Sequence, residues 1–222
     1  WTHQGINLIV PESGNFVCGR KQMGVEKYSA GLMSQSFWFI EFKKVVKLRA
    51  EGKTADEIRS KCLDENLFGA ANDYRAKRMY GYLMARVGAL DDEIIGLFMT
   101  SDLATQKLIN LISLLWTDRL FLEFVYEVYR ERVILGIPVL DDSDVRVFFK
   151  NKETQSEDIE RWNDSTKRKL KNCYLNYMTD ANLLTVTGKE KRITPPILDV
   201  ALERYLQAHG DTVIIRAITG VN

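Results

Sequence analysis

The longest apolar stretch of the chain is the feature that most constrains its fold. It runs from Leu103 to Leu135, with long basic, amphipathic segments on either side. A helix buries the residues that recur at steps of three and four. The residues with this spacing are Leu108, Ile109, Ile112, Leu115, Trp116, Leu120, Phe124, Tyr126, Val128 and Tyr129. Thr117 and Asp118 in the middle are good N-cap residues, which favours two helices meeting there over one long bent helix. We call this predicted helix pair the hub.

The charges of the hub argue against a membrane span. Its longest uncharged run, between Lys107 and Asp118, has ten residues, whereas a bilayer crossing needs about 20. Seven charged residues then follow: Asp118, Arg119, Glu123, Glu127, Arg130, Glu131 and Arg132. A central Asp, Lys or Arg costs roughly 2.5 to 3.5 kcal/mol on insertion scales. The pattern therefore predicts a helix pair buried inside a soluble protein.

Length and composition predict two domains. A chain of 222 residues that is 45% hydrophobic can bury one large core or two small ones. The break from Gly136 to Leu140 is the candidate boundary. We predict a helical N-terminal domain with the hub over 27–136 and a C-terminal domain over 137–222. Residues 1–26 mix short apolar pieces with proline and glycine and are predicted to be an extension of unknown role.

Cysteine and histidine usage predicts a cytoplasmic protein without a metal site. Cys18, Cys62 and Cys173 match no zinc spacing, and one of them would stay unpaired if a disulfide formed. His3 and His209 are not close in sequence to a second plausible ligand. The first residues contain no basic segment leading into a long apolar core, so no secretory signal is predicted.

The net charge of +1 hides a sharp local asymmetry. From Glu131 to Glu160 there are eight acidic and four basic residues, a net charge of −4. From Arg161 to Arg192 there are three acidic and eight basic residues, a net charge of +5. Because a local basic segment can bind a polyanion whatever the total charge, this segment is a functional candidate.

The first half of the chain has the order of a helix-turn-helix unit. A first helix is predicted from Ser36 to near Gly52, and Thr54 with Glu57 forms a capping box that opens a second. A third helix is predicted over 72–87. Spacings of three, four and four place one basic row on its outer face: Arg75, Arg78, Tyr82 and Arg86. This row is a candidate DNA contact. The alternative is an ordinary solvated helix face.

The best-patterned helix of the second half is predicted from Thr166 to Asn182. Its buried stripe consists of Leu170, Tyr174, Tyr177, Met178 and Ala181. Opposite that stripe lie Arg168, Lys169, Asn172 and Asn176, flanked by Lys167 and Lys171. Arginine can bond to guanine and asparagine to adenine through two atoms each, so this row suits readout of base edges in a major groove. A solvated lysine-rich face is again the alternative.

A basic hairpin follows this helix. Leu184–Thr187 and Lys191–Thr194 read as two short strands around Gly188. Its basic residues are Lys189, Lys191 and Arg192. Three helices and then a basic hairpin is winged-helix order. The predicted fold is therefore mainly α, with two helix-turn-helix or winged-helix-like domains around a central apolar helix pair and one small β-hairpin wing. Two last helices, around 198–208 and 213–218, are predicted to pack back on the hub.

Several short motifs, in order along the chain, carry a family resemblance. They are Tyr28-Ser29-Ala30-Gly31-Leu32, Glu65-Asn66-Leu67-Phe68, Leu108-Ile109-Asn110-Leu111, Thr117-Asp118-Arg119-Leu120-Phe121, Tyr126-Glu127-Val128-Tyr129, Ile193-Thr194-Pro195-Pro196 and Ala217-Ile218-Thr219-Gly220. From about Lys27 to Gly220 the chain resembles the BrxA family, a small component of bacteriophage exclusion (BREX) defence systems. The resemblance implies a cytoplasmic, mainly helical, non-enzymatic DNA-binding protein that works beside the larger defence subunits. A likeness of this family to the NusB antitermination fold keeps RNA open as a ligand.

The sequence offers no catalytic constellation and no paired carboxylates beyond helix caps and solvated faces. We therefore predict a non-enzymatic subunit without a cofactor or a small-molecule substrate, whose partners are double-stranded DNA and other BREX proteins. The rival hypothesis is a helical scaffold that holds other defence proteins together while its basic rows are merely solvated. DNA binding would weaken steeply with salt because counterions are released from phosphates, whereas scaffolding would not need DNA.

Overall fold

A computed structural model describes residues 27–221, together with the backbone of residues 17–18 and 21–22. The predicted extension, 1–26, otherwise lies outside the described residues. Strands β1 (Val17–Cys18) and β2 (Lys21–Gln22) pair antiparallel. Within the described residues the fold is mainly helical, and none of these helices combines the length and apolar character that a bilayer crossing requires.

The first three helices follow the predicted order, and a fourth helix precedes the hub. They are α1 (Phe39–Ala50), α2 (Ala55–Leu63), α3 (Asp73–Gly88) and α4 (Asp92–Thr100). The capping box that opens α2 is confirmed, because Thr54 accepts a bond from the Glu57 N–H and Glu57 accepts one from the Thr54 N–H. Each cap satisfies backbone groups that the first helical turn leaves free.

The first helix starts three residues later than predicted. Trp38 has φ 46°, in the left-handed region, so the helical conformation cannot extend back through it. Residues 31–38 instead form a strap, which opens with a 3-10 turn over Gly31–Ser34. Its backbone carbonyls accept bonds from side chains of other elements, because a segment without regular structure needs such partners where its backbone is covered. Asn110 and Arg86, for example, both donate to the Phe37 carbonyl.

The hub forms as two helices that meet at Asp118, as predicted. They are α5 (Leu103–Thr117) and α6 (Arg119–Phe124), and the Asp118 side chain accepts a bond from the Phe121 N–H at 2.9 Å. The chain then runs through a π-helical segment, Val125–Tyr129, in which the Arg130 N–H donates to the carbonyl five residues earlier. It ends in α7 (Arg130–Ile134). Periodicity did not predict the π-helical segment.

The second half contains three helices, a hairpin and two further helices. They are α8 (Asp142–Gln155), α9 (Glu157–Glu160), α10 (Asp164–Asp180), β3 (Leu184–Thr187), β4 (Glu190–Ile193), α11 (Val200–Ala208) and α12 (Thr212–Thr219). The second strand begins one residue earlier than predicted. Thr187 pairs with Glu190, so the turn holds only Gly188 and Lys189. Gly188, at φ 63°, supplies the left-handed conformation there.

The last helix packs on the hub, as predicted. Gly220 ends α12 at φ 76°, and a Cβ atom there would lie 2.4 Å from a methyl carbon of Val133 in α7. This approach is too close for any side chain, so a glycine is required both for the backbone conformation and for the contact. Helix α11 joins α4 through the Tyr205 hydroxyl, which donates to Asp91 at 2.9 Å.

Contacts cross the predicted domain boundary in several places. The rings of Phe121 and Tyr174 stack with centroids 4.8 Å apart. The Tyr177 hydroxyl in α10 donates to the carbonyls of Leu32 and Gln35 in the strap. The linker between hub and α8 also pairs with β4, since the Leu140 N–H donates to the Lys191 carbonyl. A division into two domains stays a prediction, and these contacts join its two sides.

A buried ion network fixes α8 against the hub. The ammonium nitrogen of Lys152 lies 2.6 Å from a carboxylate oxygen of Glu123 and 2.6 Å from one of Glu127. Arg119 Nε contacts the other Glu123 oxygen at 2.7 Å, and the Tyr28 hydroxyl donates to Glu123 at 2.9 Å. The side chains of Lys152 and Glu123 are almost fully buried. Burial raises the pKa of Glu127 above its ordinary value even beside this lysine.

We predict that Lys152→Met strongly destabilises the protein. The substitution keeps the length of the side chain but removes the cation that both carboxylates share, so Glu123 keeps only Arg119 and Glu127 loses its ion pair. Breaking a buried ion pair from one side costs about 3–5 kcal/mol of unfolding free energy. Urea denaturation followed by circular dichroism measures the change.

The matched control is Lys150→Met, an exposed lysine on the same helix. A surface substitution of this kind changes stability by no more than about 0.5 kcal/mol. Equal denaturation midpoints for the two variants would mean that the Lys152 network does not hold α8 on the hub.

Candidate nucleic-acid interface

Helix α10 presents the polar outer face that its sequence predicts. The Asn163 side chain caps the helix by accepting a bond from the Thr166 N–H at 2.8 Å. Four of its apolar residues are buried against the hub side: Leu170, Tyr174, Tyr177 and Met178. Opposite them, four polar residues are exposed: Arg168, Lys169, Asn172 and Asn176. Their side chains form no ion pair within the part of the chain that the structure describes.

The two lysines predicted to flank this face are held by α8. Lys171 Nζ lies 2.8 Å from an Asp142 carboxylate oxygen, and Lys167 pairs with Glu153. These two pairs, Lys171–Asp142 and Lys167–Glu153, lie at the edge of the contact between α8 and α10. The hydrogen bond from Lys171 lowers the pKa of Asp142. Lys167 and Lys171 therefore anchor α10 to α8, and their charges are already partly compensated.

The predicted hairpin forms, and the side chains of its adjacent residues Lys191 and Arg192 face opposite sides. Along a strand, successive side chains point to opposite faces. Arg192 pairs across the hairpin with Thr185, and Lys191 pairs with Val186. Lys191 is half-buried, and its charge contributes to the lowered pKa of Asp142. Arg192 is exposed, as is Lys189 in the turn. A single flat ligand on one face of the hairpin cannot contact Lys191 and Arg192 equally.

The basic row predicted on α3 is only partly exposed. The guanidinium groups of Arg75 and Arg78 are exposed and have no carboxylate partner among the described residues. Tyr82 is half-buried and lies beside Trp38, with ring centroids 6.4 Å apart. The fourth member of the row, Arg86, departs from the prediction.

Arg86 is buried in the core, with 1% of its surface exposed. Its guanidinium group donates to Gln35 Oε1 at 2.7 Å, to the Ser36 carbonyl at 2.9 Å and to the Phe37 carbonyl at 3.0 Å. Burial lowers its pKa to about 10. The prediction of an exposed Arg86 was wrong because helical spacing cannot tell that the strap covers the C-terminal end of this row.

Sequence reasoning missed two aromatic residues at the α3 surface. Tyr74 precedes the row and is 76% exposed. Trp38 lies partly exposed beside Tyr82, and the Arg86 guanidinium group lies 5.7 Å from its ring centroid. Tyr74 could have been found, because it stands four residues before Arg78 and so shares its helix face. Trp38 could not have been found, because its position depends on its own left-handed backbone conformation, which the sequence does not predict.

A groove of about 280 Å³ lies between the end of the hub and α8. Among its lining residues, Leu135 is 61% exposed and Val147 is 58% exposed. Glu131 and Asp144 lie at the same groove, and Asp144 pairs with Arg132. The described residues contain no group of three or more histidine, cysteine or acidic side chains placed to hold a metal ion.

Comparisons with known proteins agree on one family. A sequence model of the BrxA family matches residues 26–210. A BREX protein BrxA from Bacillus cereus (strain H3081.97) is 34% identical over 193 residues, which cover 87% of this chain and 96% of that protein.

A solved structure supports the fold. The crystal structure of an uncharacterized protein from Magnetospirillum magneticum superposes with a TM-score of 0.75 at 19% identity, covering 88% of this chain and 100% of the other. At that identity the likeness concerns the fold alone. The match to the family model and the similarity to the Bacillus cereus protein, each over most of the chain, establish that the chain belongs to the BrxA family.

Proposed function

We propose that this protein is a non-enzymatic, cytoplasmic DNA-binding subunit of a bacteriophage exclusion defence system. Membership of the BrxA family supports a role in phage defence, because the related protein from Bacillus cereus is named as a BREX protein. It also supports other BREX proteins as partners. The DNA-binding part of the proposal depends on the surfaces of α10, the hairpin and α3.

The observation that carries the proposal is the outer face of α10. Arg168, Asn172 and Asn176 follow one another at steps of four on the exposed side of a helix whose other side is buried. Guanidinium and amide groups are the side chains that bond most specifically to guanine and adenine edges in a major groove. The opposite face is buried, so the helix presents this row in one direction.

The hairpin next to α10 supports a winged-helix mode of binding. Helices α8, α9 and α10 are followed by β3 and β4, which is winged-helix order. In this mode α10 would enter the major groove, while Lys189 and Arg192 would contact phosphates. Arg75 and Arg78 on α3 would supply a second contact on the same nucleic acid, and two linked contacts raise the apparent affinity through effective concentration.

A scaffold function is the alternative, and the groove between the hub and α8 favours it. Leu135 and Val147 expose apolar surface at this groove. Exposed apolar patches bordered by polar residues often mark protein–protein contacts. A scaffold would hold its protein partners without DNA and would not need the α10 row. The two functions are therefore separable by experiment. Binding of double-stranded RNA is measured in the same way as binding of DNA.

We predict that affinity for a 20-base-pair duplex falls steeply with salt. Six exposed cations lie on the proposed surfaces: Arg75, Arg78, Arg168, Lys169, Lys189 and Arg192. Each phosphate contact contributes about −0.9 to the slope of log affinity against log salt, so the slope should be about −5 if all six contact phosphates. Fluorescence anisotropy at 50 and 200 mM salt measures it, with double-stranded RNA of the same sequence as a parallel ligand. Absence of duplex binding at low salt would reject the proposal in favour of the scaffold.

We predict that α10 and the wing fail in different ways when mutated. Arg168→Ala with Asn172→Ala should flatten the preference among DNA sequences, because a bidentate contact to a base is worth roughly 1–3 kcal/mol of discrimination. Arg192→Ala should weaken binding to every sequence and lower the salt slope by about one. Lys191→Ala should have the smaller effect, because Lys191 is half-buried near Asp142. Competition against a mixed-sequence pool separates these outcomes.

The matched control is Arg204→Ala, an exposed arginine on α11 outside both basic surfaces. It should bind duplex DNA as the unmodified protein does. Wild-type affinity in the Lys191→Ala, Arg192→Ala double variant would refute the role of the wing. If Arg204→Ala weakened binding as much as Arg168→Ala, the effect of charge would be general and the α10 row would have no special role.

A further inference from the structure

The exposed side of α3 carries aromatic rings as well as positive charge. We define the α3 aromatic surface by Trp38, Tyr74, Arg75, Arg78 and Tyr82. All five side chains are exposed or half-buried. They lie on α3 or, in the case of the tryptophan, against it. The two arginines have no carboxylate partner within the described part of the chain. An aromatic and cationic surface of this kind differs from an ordinary solvated helix face, which carries mixed charges.

The fold does not require the ring of Tyr74. It is 76% exposed and belongs neither to the hydrophobic core nor to the residues packed against it. Its hydroxyl and ring make no hydrogen bond and no ring contact within the residues that the structure describes. Burial of a tyrosine is a large source of stability, so leaving this one in water contributes little to folding.

The Tyr82 and Trp38 rings form a second, more rigid platform. Their centroids are 6.4 Å apart and their planes are tilted by 31°. The Trp38 backbone is held in the left-handed conformation, which a bulky residue adopts only when its surroundings impose it. Its ring also lies against the buried Arg86 guanidinium group. The indole is therefore held in place, while part of it and of the Tyr82 ring stays exposed.

Small residues lie on the helix surface between and beyond these rings. Gly81, Ala85 and Gly88 continue the helix row that Tyr74 and Arg78 begin, and all are exposed. A Cβ atom added at Gly81 or at Gly88 would meet nothing within 4 Å. A ligand backbone can therefore approach the helix closely. The two tyrosines are eight residues apart, about 12 Å along the helix axis. This is more than the 3.4 Å between stacked bases of one duplex strand, so each ring can receive a different base.

The chemistry of this surface differs from that of the α10 face. The α10 face offers amide and guanidinium groups but no exposed aromatic ring, because Tyr174 and Tyr177 are buried. Amides suit the edges of paired bases, which a duplex exposes in its grooves. Aromatic rings suit the flat faces of bases, which a duplex hides in its stack and only unpaired bases expose. The two surfaces are therefore suited to different forms of nucleic acid.

We propose that the α3 aromatic surface binds single-stranded nucleic acid, with bases stacked on Tyr74 and on the Tyr82–Trp38 pair and phosphates contacted by Arg75 and Arg78. The inference rests on the proposed function and deepens it. Helix α10 and the hairpin contact duplex, Arg75 and Arg78 contact phosphates of either form, and the aromatic rings of the α3 surface receive only unpaired bases.

The test compares a fluorescent 20-nucleotide oligo-dT with a 20-base-pair duplex on the full chain at low salt. In Tyr74→Ala and Tyr82→Ala, affinity for oligo-dT should fall by roughly 5- to 140-fold per ring, the equivalent of about 1–3 kcal/mol per stacked base. Duplex affinity should change less than two-fold. Tyr74→Phe keeps the ring and should bind oligo-dT as the unmodified protein does. Oligo-U in place of oligo-dT distinguishes RNA from DNA as the preferred strand.

A base analogue reports stacking directly. An oligonucleotide with 2-aminopurine at its centre should lose fluorescence on binding to the unmodified protein and to Tyr74→Phe, and lose less with the Tyr74→Ala, Tyr82→Ala double variant. A purely electrostatic contact would not produce this difference. Thermal melts of each variant confirm that it is folded, which is expected for Tyr74 because the core does not use it.

The outcomes separate this inference from the proposed function. Ring-dependent oligo-dT or oligo-U binding without duplex binding would overturn the proposed duplex function and support the single-strand site. Duplex binding with oligonucleotide binding that is unaffected by loss of both rings would overturn the single-strand site alone. Failure to bind either ligand would overturn both.

Discussion

The ammonium group of Lys152 is the contact on which the arrangement of the second half depends. The hub places the carboxylates of Glu123 and Glu127 where α8 packs, and without Lys152 the buried Glu123 would keep only Arg119 while Glu127 would lose its ion pair. Once Lys152 has fixed α8 on the hub, Asp142 and Glu153 of α8 can pair with lysines of α10. Helix α10 also packs directly on the hub through Tyr174, so Lys152 supports the orientation of the α10 outer face through α8 but does not set it alone.

The charge asymmetry of the sequence is used partly inside the protein. The acidic segment before Arg161 and the basic segment after it meet where α8 contacts α10, and two ion pairs join them. After these pairs are formed, a smaller set of exposed cations lies on the outer face of α10 and on the hairpin. Counting charges along the sequence marked the segment as a candidate but overestimated the number of its cations that have no acidic partner.

Local patterns predicted the elements, and tertiary contacts decided which side chains are available. The caps at Thr54, Asp118 and Asn163 depend on neighbours within three residues, so the sequence reveals them. The burial of Arg86 depends on the strap, about fifty residues away, whose course is set by the left-handed Trp38. The π-helical segment after α6 was not predicted, because its apolar spacing fits an α-helix equally well. Local chemistry was therefore readable from the sequence, whereas exposure was readable only for faces that no distant segment covers, such as the outer face of α10.

The strap also determines the order in which the protein can be completed during synthesis. Its carbonyls at Leu32 and Gln35 are bonded by the hydroxyl of Tyr177, and the second of these contacts joins residues 142 positions apart. At translation rates of roughly 5–20 residues per second, those residues are made about 7–30 s apart. Throughout that interval the strap has no hydroxyl to bond these carbonyls. The strap therefore completes its hydrogen bonds only after α10 has been made, however early α1 to α3 become helical.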